Sequence, residues 1–206
     1  IPQVVSVDFV KREKNLKKFI FPTKCPCGFE TIKEINITTK KVDAVRRCPD
    51  RGYLCPYIAK EKLKHFVSKD ALNIDGLGKK VIDQLWELKL IKVPSDIFNL
   101  DYIKITNLDG WGELSAKNLQ KAIKDSSNLL LDKFIYSLGI RHIGQENAKL
   151  IANFFVSIKN FAELFNFSKR KNLLKNIAEL DGIGSAQLKS LEEFFSNKSN
   201  SEITLS

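Results

Sequence analysis

Four cysteines are the residues of this sequence with the clearest chemistry. Cys25, Cys27, Cys48 and Cys55 lie close together, and the rest of the 206-residue chain contains no cysteine. They form one Cys-x-Cys pair and one Cys-x6-Cys pair, and the prolines and glycines around them favour tight turns. Two such pairs joined by a short ribbon are the layout of a four-thiolate zinc site, which leaves no coordination position open. We therefore predict a structural zinc ion, not a catalytic one.

Two disulfides or four free thiols are the alternatives for these cysteines. Disulfides persist mainly in secreted proteins, and no signal peptide is visible, because Asp8, Lys11 and Arg12 stand where its apolar stretch would lie. A further alternative follows from the first pair, whose spacer is one residue shorter than usual. His65 could replace one cysteine of that pair, although it lies within a helical pattern.

A second pattern, Gly-apolar-Gly after an apolar residue, recurs along the chain. It occurs at 74–78, 108–112 and 180–184, and a fourth copy at 138–144 keeps only the last glycine of the pair. The last glycines of the four copies, at 78, 112, 144 and 184, are 34, 32 and 40 residues apart, which suits two helices and a connection per unit. An apolar stripe at helical spacing follows each copy, for example Leu114, Leu119 and Ile123 after the second.

Each glycine of this pattern has a predicted role. The first permits a positive φ, the apolar residue turns into the core, and the second opens a helix whose free amides bind phosphate oxygens. A plain helix–helix corner is the alternative for one copy, but four copies in a chain of net charge +10 favour phosphate binding. This is the helix-hairpin-helix pattern, which binds the DNA backbone without reading bases. The predicted DNA-binding residues are Gly76, Gly78, Lys79, Lys80, Gly110, Gly112, Lys117, Arg141, Gly144, Gly182 and Gly184.

Composition agrees with a folded, DNA-binding chain. Hydrophobic residues make up 43% of it, and 34 basic residues face 24 acidic ones, which points to a polyanionic partner. No apolar run approaches the length of a membrane span. Strand signals are confined to 1–10 and 31–45, so we predict a mainly α protein: a small zinc-ribbon-like finger followed by an all-helical tandem helix-hairpin-helix domain. A chain that begins with Ile and lacks Met is interpreted as part of a longer protein.

Several aromatic and basic side chains outside the glycine pattern could have either a structural role or a role in contacting DNA. Trp86 is predicted to pack in the core. Trp111 is also predicted to pack in the core, with base intercalation as the alternative. The phenylalanine cluster of the second half is predicted to be a buried helical interface and could instead stack on single-stranded bases. Its members are Phe154, Phe155, Phe161, Phe165 and Phe167. His142 is predicted to be a turn or packing residue. The run 168–171 is predicted to be a solvated helix start, with DNA contact as the alternative.

The order of these motifs resembles the C-terminal portion of bacterial NAD-dependent DNA ligase. Residues 1–5 resemble the end of its OB-fold, and 21–26, Cys48 and Cys55-Pro56 resemble its zinc finger. Residues 63–68 and 74–78 resemble the start of its helical domain, and the degenerate third hairpin at 138–144 is itself a trait of the family. Both cysteine spacings depart from the family pattern. The implied domains are 1–20 (end of OB-fold and linker), 21–59 (four-cysteine zinc finger), 60–195 (four hairpins) and 196–206 (flexible tail).

The resemblance implies a role in sealing nicks in duplex DNA during replication and repair. The family adenylates a lysine with NAD, passes AMP to the 5′-phosphate and joins it to the 3′-hydroxyl with Mg²⁺. That lysine lies in a Lys-x-Asp-Gly motif. This chain has three Asp-Gly pairs, and the position of the lysine is occupied in them by Asn73, Asn107 and Glu179. We therefore expect a non-catalytic clamp on nicked duplex DNA, inactive without the adenylation and OB domains of its parent, and monomeric.

The implied location is the bacterial cytoplasm, in association with the nucleoid and not with a membrane. A non-catalytic DNA-binding module of another repair enzyme, a nuclease or a glycosylase, is the alternative function. A nuclease needs clustered acids for Mg²⁺, and a glycosylase needs a catalytic Asp or Lys beside a single hairpin. An adaptor that binds acidic proteins is a third reading, and it would not bind nicked DNA.

Overall fold

The structure is a computed structural model that describes residues 5–6, 8–11, 15–17, 19–35 and 39–205. In these residues it contains two short strands, eleven α-helices and one 3₁₀ helix, which confirms the mainly α class. Of residues 1–5, which resemble the end of an OB-fold, 1–4 lie outside the described residues, and the described part of 1–20 contains no strand. The elements are β1 Ile32–Ile35, β2 Val42–Arg47, α1 Pro56–Phe66, α2 Lys79–Glu87, α3 Pro94–Phe98, α4 Tyr102–Thr106, α5 Glu113–Asp125, α6 Leu131–Ser137, α7 Gln145–Phe155, α8 Ile158–Ala162, the 3₁₀ helix Glu163–Phe165, α9 Phe167–Ile177, α10 Ser185–Ser196 and α11 Lys198–Leu205.

The predicted ribbon between the cysteine pairs is present as an antiparallel hairpin of β1 and β2. Ile32 pairs with Arg47 and Ile35 pairs with Val42, with an irregularity between Lys33 and Ile35. Ile32, Ile35 and Val42 are all exposed. An isolated two-stranded hairpin is marginal in water, so this ribbon depends on the contacts around the cysteines and with the helices.

The apolar spacing of Leu63, Phe66 and Val67 predicts an amphipathic helix over 60–72, and helix α1 begins four residues earlier than that. Its N-cap is Cys55 and Pro56 occupies its first turn, a position where the fixed φ of proline is already helical and its missing N–H costs nothing. The last predicted cysteine therefore belongs to the start of a helix. The helix ends at Phe66 and not at Leu72, because turns follow it and Asn73 adopts a φ of 50°.

Two hydrophobic cores organise the helices, and each contains two of the glycine hairpins. Residues of α1 to α5, such as Leu63, Ile82 and Leu119, form the first core. Residues of α6 to α10, such as Ile151 and Leu191, form the second core. The four hairpins are thus arranged as two pairs, the first two over one core and the last two over the other.

Two residues that were predicted to be buried are exposed instead: Leu114 of an apolar stripe and Phe167 of the phenylalanine cluster. Leu114 is 73% exposed because the buried face of α5 is set by Ala116 and Leu119, and Leu114 lies two residues before that face. Phe167 is 85% exposed as the first residue of α9. The other members of the phenylalanine cluster pack as predicted: Phe161 contacts Phe155 and Phe195 edge to face inside the second core, which argues against a stacking platform for bases.

The segment 196–206, expected to be a flexible tail, instead contains helix α11. Asn200 of this helix is fully buried, and its side-chain amide donates to the carbonyls of Phe194 at 3.2 Å and Arg51 at 3.3 Å. The Ser- and Asn-rich composition suggested a linker, but the buried Asn200 side chain bonds this helix to the end of α10 and to the segment before α1. In the described part of the chain, no helix has the length and apolar character needed to cross a membrane.

Candidate nucleic-acid interface and cysteine cluster

The backbone of the hairpins agrees with the roles predicted for the two glycines. Gly76, Gly110 and Gly182 have φ values of 89°, 79° and 92°, the left-handed region that side chains rarely adopt. The last glycine of each copy is the N-cap of a helix. These N-caps are Gly78 of α2, Gly112 of α5, Gly144 of α7 and Gly184 of α10.

The apolar residue between the glycines points into the protein in every copy. Leu77, Ile143 and Ile183 are 2%, 5% and 7% exposed. Trp111 packs against the first core, and its Nε1 donates to Oε1 of Gln84 at 3.1 Å. Trp111 is thus partly buried against the core, which agrees with the predicted packing role and not with base intercalation.

The fold itself does not require glycine at three of the four N-caps. Gly78, Gly112 and Gly144 have φ values of −67°, −153° and −83°, which any residue can adopt. A Cβ atom built on any of these three would meet no atom within 4 Å. The open space in front of each N-cap therefore lies outside the protein, where a ligand can approach the backbone closely.

The amides in the first turns of these helices have no N-cap side chain to accept their protons, because the N-cap residue is glycine. Gly112 and Gly184 are themselves satisfied: their N–H groups donate to Ser115 Oγ at 2.9 Å and to Gln187 Oε1 at 3.2 Å. The arrangement can bind an anion through main-chain N–H groups and the positive end of the helix dipole.

Charge is distributed unequally over the four helix starts. Lys79 and Lys80 are exposed at the start of α2, and neither forms an ion pair with another described residue. At the start of α7, by contrast, Glu146 pairs with Lys149 at 2.8 Å. The first turn of α5 contains the acidic Glu113 in addition to the nearby Lys117. The start of α2 therefore has two adjacent exposed lysines that form no ion pair with the described residues.

Arg141 connects the third hairpin, to which it belongs, with the cysteine-containing segment. Its guanidinium forms an ion pair with Glu34 of β1, and the same carboxylate pairs with Arg51. The Arg141 side chain keeps 32% of its surface exposed. The hydrogen bond from Arg141 and the charges of both arginines hold the pKa of Glu34 below its usual value, against the effect of burial. A contact of Arg141 with phosphate stays a prediction.

The structure brings the four predicted cysteines into one cluster. All four Sγ atoms lie within 4.8 Å of one another, and the Cys25–Cys55 and Cys27–Cys48 sulfur distances are both 3.8 Å. Sulfurs bonded to one zinc ion at about 2.3 Å in a tetrahedron are about 3.8 Å apart. A disulfide would require about 2.05 Å, so the disulfide alternative does not describe this arrangement.

Local turns hold the two pairs. In the first, Gly28 N–H donates to the Cys25 carbonyl at 2.8 Å, with Gly28 at a φ of 95°. In the second, Asp50 accepts from Gly52 N–H at 2.9 Å and from Cys55 N–H at 2.8 Å. Asp50 was not among the predicted site residues, although an aspartate two residues after Cys48 is a recognisable turn signal.

The thiols differ in acidity within the cluster. Burial opposes ionisation of Cys27, but the backbone at Phe29 and the neighbouring thiols outweigh it and lower the pKa of Cys27 to about 7. Burial raises the pKa of Cys48 to about 12 and also raises that of Cys55. A bound cation would favour the thiolate form of all four, since coordinating thiols lose their protons.

His65 does not join this cluster. Its Nε2 donates to the Tyr136 carbonyl at 2.8 Å, and its ring contacts the Tyr136 ring edge to face. It thereby joins α1 to α6. Among the described residues, the group that could hold a metal ion consists of the four cysteines and does not include His65. The alternative with His65 as a ligand is therefore wrong.

Comparison with known proteins agrees with the hairpin geometry. A family model described as a helix-hairpin-helix motif matches residues 133–204. The chain is 55% identical over 204 residues to the DNA ligase of Pelagibacter ubique, covering 98% of this chain and 30% of that protein. It is 40% identical over 212 residues to the DNA ligase of Parvibaculum lavamentivorans and 39% over 211 residues to that of Rickettsia prowazekii, again covering 98% of this chain and 30% of each relative.

The fold and the two sites thus define a helix-hairpin-helix protein with a four-cysteine cluster capable of holding a metal ion. The chain spans about a third of the length of the curated relatives it matches. Over that shared region its relatives are DNA ligases, which supports its being the C-terminal part of such a protein.

Proposed function

We propose that this chain is the DNA-binding, non-catalytic part of an NAD-dependent DNA ligase that clamps nicked duplex DNA through its backbone phosphates. The observation that carries the proposal is the repeated helix start. Four helices begin at a glycine N-cap, and at Gly78, Gly112 and Gly144 the space in front of the backbone is open. Main-chain amides at a helix start match phosphate oxygens and carry no base information.

The pairing of hairpins over two cores supports a duplex as the partner. Each core presents two helix starts, α2 and α5 over the first and α7 and α10 over the second. Two phosphate-binding sites at a fixed separation suit double-stranded DNA, because the phosphates on the two sides of a DNA groove are also held at a fixed separation. The predicted glycines and lysines are the residues that would face this backbone.

The four cysteines fit a structural zinc ion, and we include it in the proposal. The donor set is four thiol sulfurs with tetrahedral spacing, and Cys55 is fully buried at the start of α1. Four protein ligands fill the coordination of zinc, so the ion would supply stability and no reaction. Because Cys55 caps α1, a metal bound here would hold the ribbon directly against the helices.

The chemistry of joining is assigned to other parts of the parent protein. In the three Asp-Gly pairs of this chain, the residue two positions before Asp is Asn73, Asn107 or Glu179, never the lysine that the family adenylates. We propose that NAD and Mg²⁺ act at the adenylation domain of the parent, and that the chain alone, a monomer, binds nicks without sealing them. Its proposed substrate lies in the bacterial nucleoid.

Binding of a labelled nicked duplex at several salt concentrations tests the proposal. We expect a complex whose affinity falls steeply with salt, with a log–log slope of roughly −0.9 for each phosphate neutralised. Two unrelated duplex sequences should give equal affinities. No complex at low salt, or an affinity insensitive to salt, would reject the DNA-binding role and favour an adaptor.

A joining assay tests the link to the parent enzyme. The chain alone should leave nicks unsealed, and the intact parent protein with NAD and Mg²⁺ should seal them. Deleting this region from the parent should weaken nick binding and joining together. Cleavage of the duplex or release of a base by the chain would instead indicate a nuclease or a glycosylase.

A further inference from the structure

We propose that His142 is a positioning residue that holds the starts of α7 and α10 at a fixed separation, so that the third and fourth hairpins bind a double-stranded backbone as one unit. The inference rests on the proposed DNA binding and adds to it a residue that selects duplex over single-stranded DNA.

His142 occupies the place that glycine takes in the other three hairpins. It stands two residues before the N-cap Gly144, as Gly182 stands before Gly184, and its φ of 62° is in the same left-handed region. A side chain with this backbone conformation costs free energy that glycine avoids. The position therefore carries a strained histidine where the fold alone would be satisfied by glycine.

The contacts of His142 reach both helices. Its main-chain carbonyl accepts from Nδ2 of Asn147 in α7 at 3.2 Å. Its ring Nδ1 lies 3.1 Å from Oγ of Ser190, a buried residue of α10. The Ser190 hydroxyl donates to the Ala186 carbonyl in the first turn of α10 at 3.0 Å. With the single serine proton used there, His142 Nδ1 carries the hydrogen and donates to Ser190.

One residue is thus hydrogen-bonded to α7 through its backbone and to α10 through its ring. Rigid separation matters when the partner is rigid as well, because only the correct spacing then satisfies both sites at once. A duplex fixes the distance between its backbone phosphates, whereas a flexible single strand adapts to either spacing. Loss of the contact should therefore weaken duplex binding more than single-strand binding.

The variant His142→Gly separates positioning from folding. It restores the residue found in the other hairpins and removes the left-handed side chain, so the melting temperature should stay equal or rise. Duplex affinity should fall about fivefold, the equivalent of one hydrogen bond, and the ratio of duplex to single-strand affinity should fall with it. Lys89→Gly is the matched control, because Lys89 also has a positive φ of 59° but lies just beyond α2.

Ser190→Ala removes the same hydrogen bond from the other side and keeps the proposal testable if the first variant folds poorly. It should lower duplex affinity by a similar factor, and the double variant should lose no more than either single one. Unchanged duplex affinity in both variants would overturn the proposal. The proposal would also be overturned if affinity for duplex and for single-stranded DNA fell equally and in proportion to a loss of melting temperature. Absence of salt-sensitive binding in the unmodified chain would instead reject the proposed function.

Discussion

Glu34 of β1 and Arg141 of the third hairpin form an ion pair although 107 residues separate them in the chain. The same carboxylate pairs with Arg51, whose Nε lies 3.4 Å from Glu193 of α10. The carbonyl of Arg51 accepts from Lys62 of α1 at 2.7 Å. This charge network joins the cysteine-containing segment to helices that belong to both cores.

Replacing Glu34 by Gln should loosen this junction. The two pairs are partly exposed, so we expect a loss of about 1 kcal/mol in the free energy of unfolding at pH 7. Because the folded-state pKa of Glu34 is below its unfolded value of 4.5, its contribution is present above pH 4.5 and is lost as the pH falls through the folded value. The difference between the native chain and the variant should accordingly shrink in acid, as measured by urea unfolding.

Glu30→Gln is the matched control for that experiment. Glu30 pairs with Lys24 at 3.6 Å, but both side chains are well exposed, and exposed pairs contribute little. The control should unfold like the native chain at both pH values. A Glu34→Gln variant with the same stability as this control at pH 7 would show that the network adds nothing to the junction.

Lys62 should make stability rise with pH in the alkaline range. Burial lowers its pKa to about 8 from the usual 10.5, and its Nζ lies 4.9 Å from the centre of the Tyr53 ring. Between these values the unfolded chain binds more protons, so raising the pH favours the folded state. Relative to Lys62→Met, the native chain should gain on the order of 2 kcal/mol from pH 8 to pH 10 by urea unfolding. Parallel curves for the two proteins would contradict this.

The two glycines of the second hairpin should respond differently to valine. Gly112→Val places its side chain in open space at an ordinary φ, so the melting temperature should change little while DNA affinity falls for every sequence. Gly110→Val forces a β-branched residue to a φ of 79° and should cost about 1–2 kcal/mol in stability. Melting curves and DNA titration measure both. Native affinity in Gly112→Val would remove this hairpin from the interface.

Two lysines on α5 provide a matched test of where phosphate lies. Lys117 is near the start of the helix and Lys124 is in its last turn, and both are exposed. Lys117→Gln should weaken duplex binding and reduce the salt slope by about 0.9, whereas Lys124→Gln should leave both unchanged. Equal effects of the two substitutions would mean that the lysines act through overall charge and not at the hairpin.

Metal analysis should find about one zinc ion per chain, the content of a single four-thiolate site. Cys55→Ser should lose the ion and lower the melting temperature, because this ligand also begins α1. A strong chelator should have the same effect on the native chain. Thiol counting in the unfolded, metal-free protein should return all four cysteines as free, and two disulfides would refute the metal site.

The helical hairpins were predictable because their signal is local. A glycine at a positive φ, an inward apolar residue and a glycine N-cap lie within five residues, as at Gly76, Leu77 and Gly78, and each is dictated by the backbone of that segment. The cysteine cluster was predictable for a related reason: sulfur ligands are rare, and their grouping along the chain reports the grouping in space.

The sequence by itself determined the mainly α class, the four hairpins and the four clustered thiols, since these depend on residue type and short-range spacing. Only the tertiary structure decided that Arg141 bonds to Glu34, that His142 reaches Ser190 and that Asn200 turns an expected tail into a buried helix. Those contacts join residues far apart in the chain. A side chain of the same type can be solvated or bonded at such a site, and the packing of other helices selects between the two.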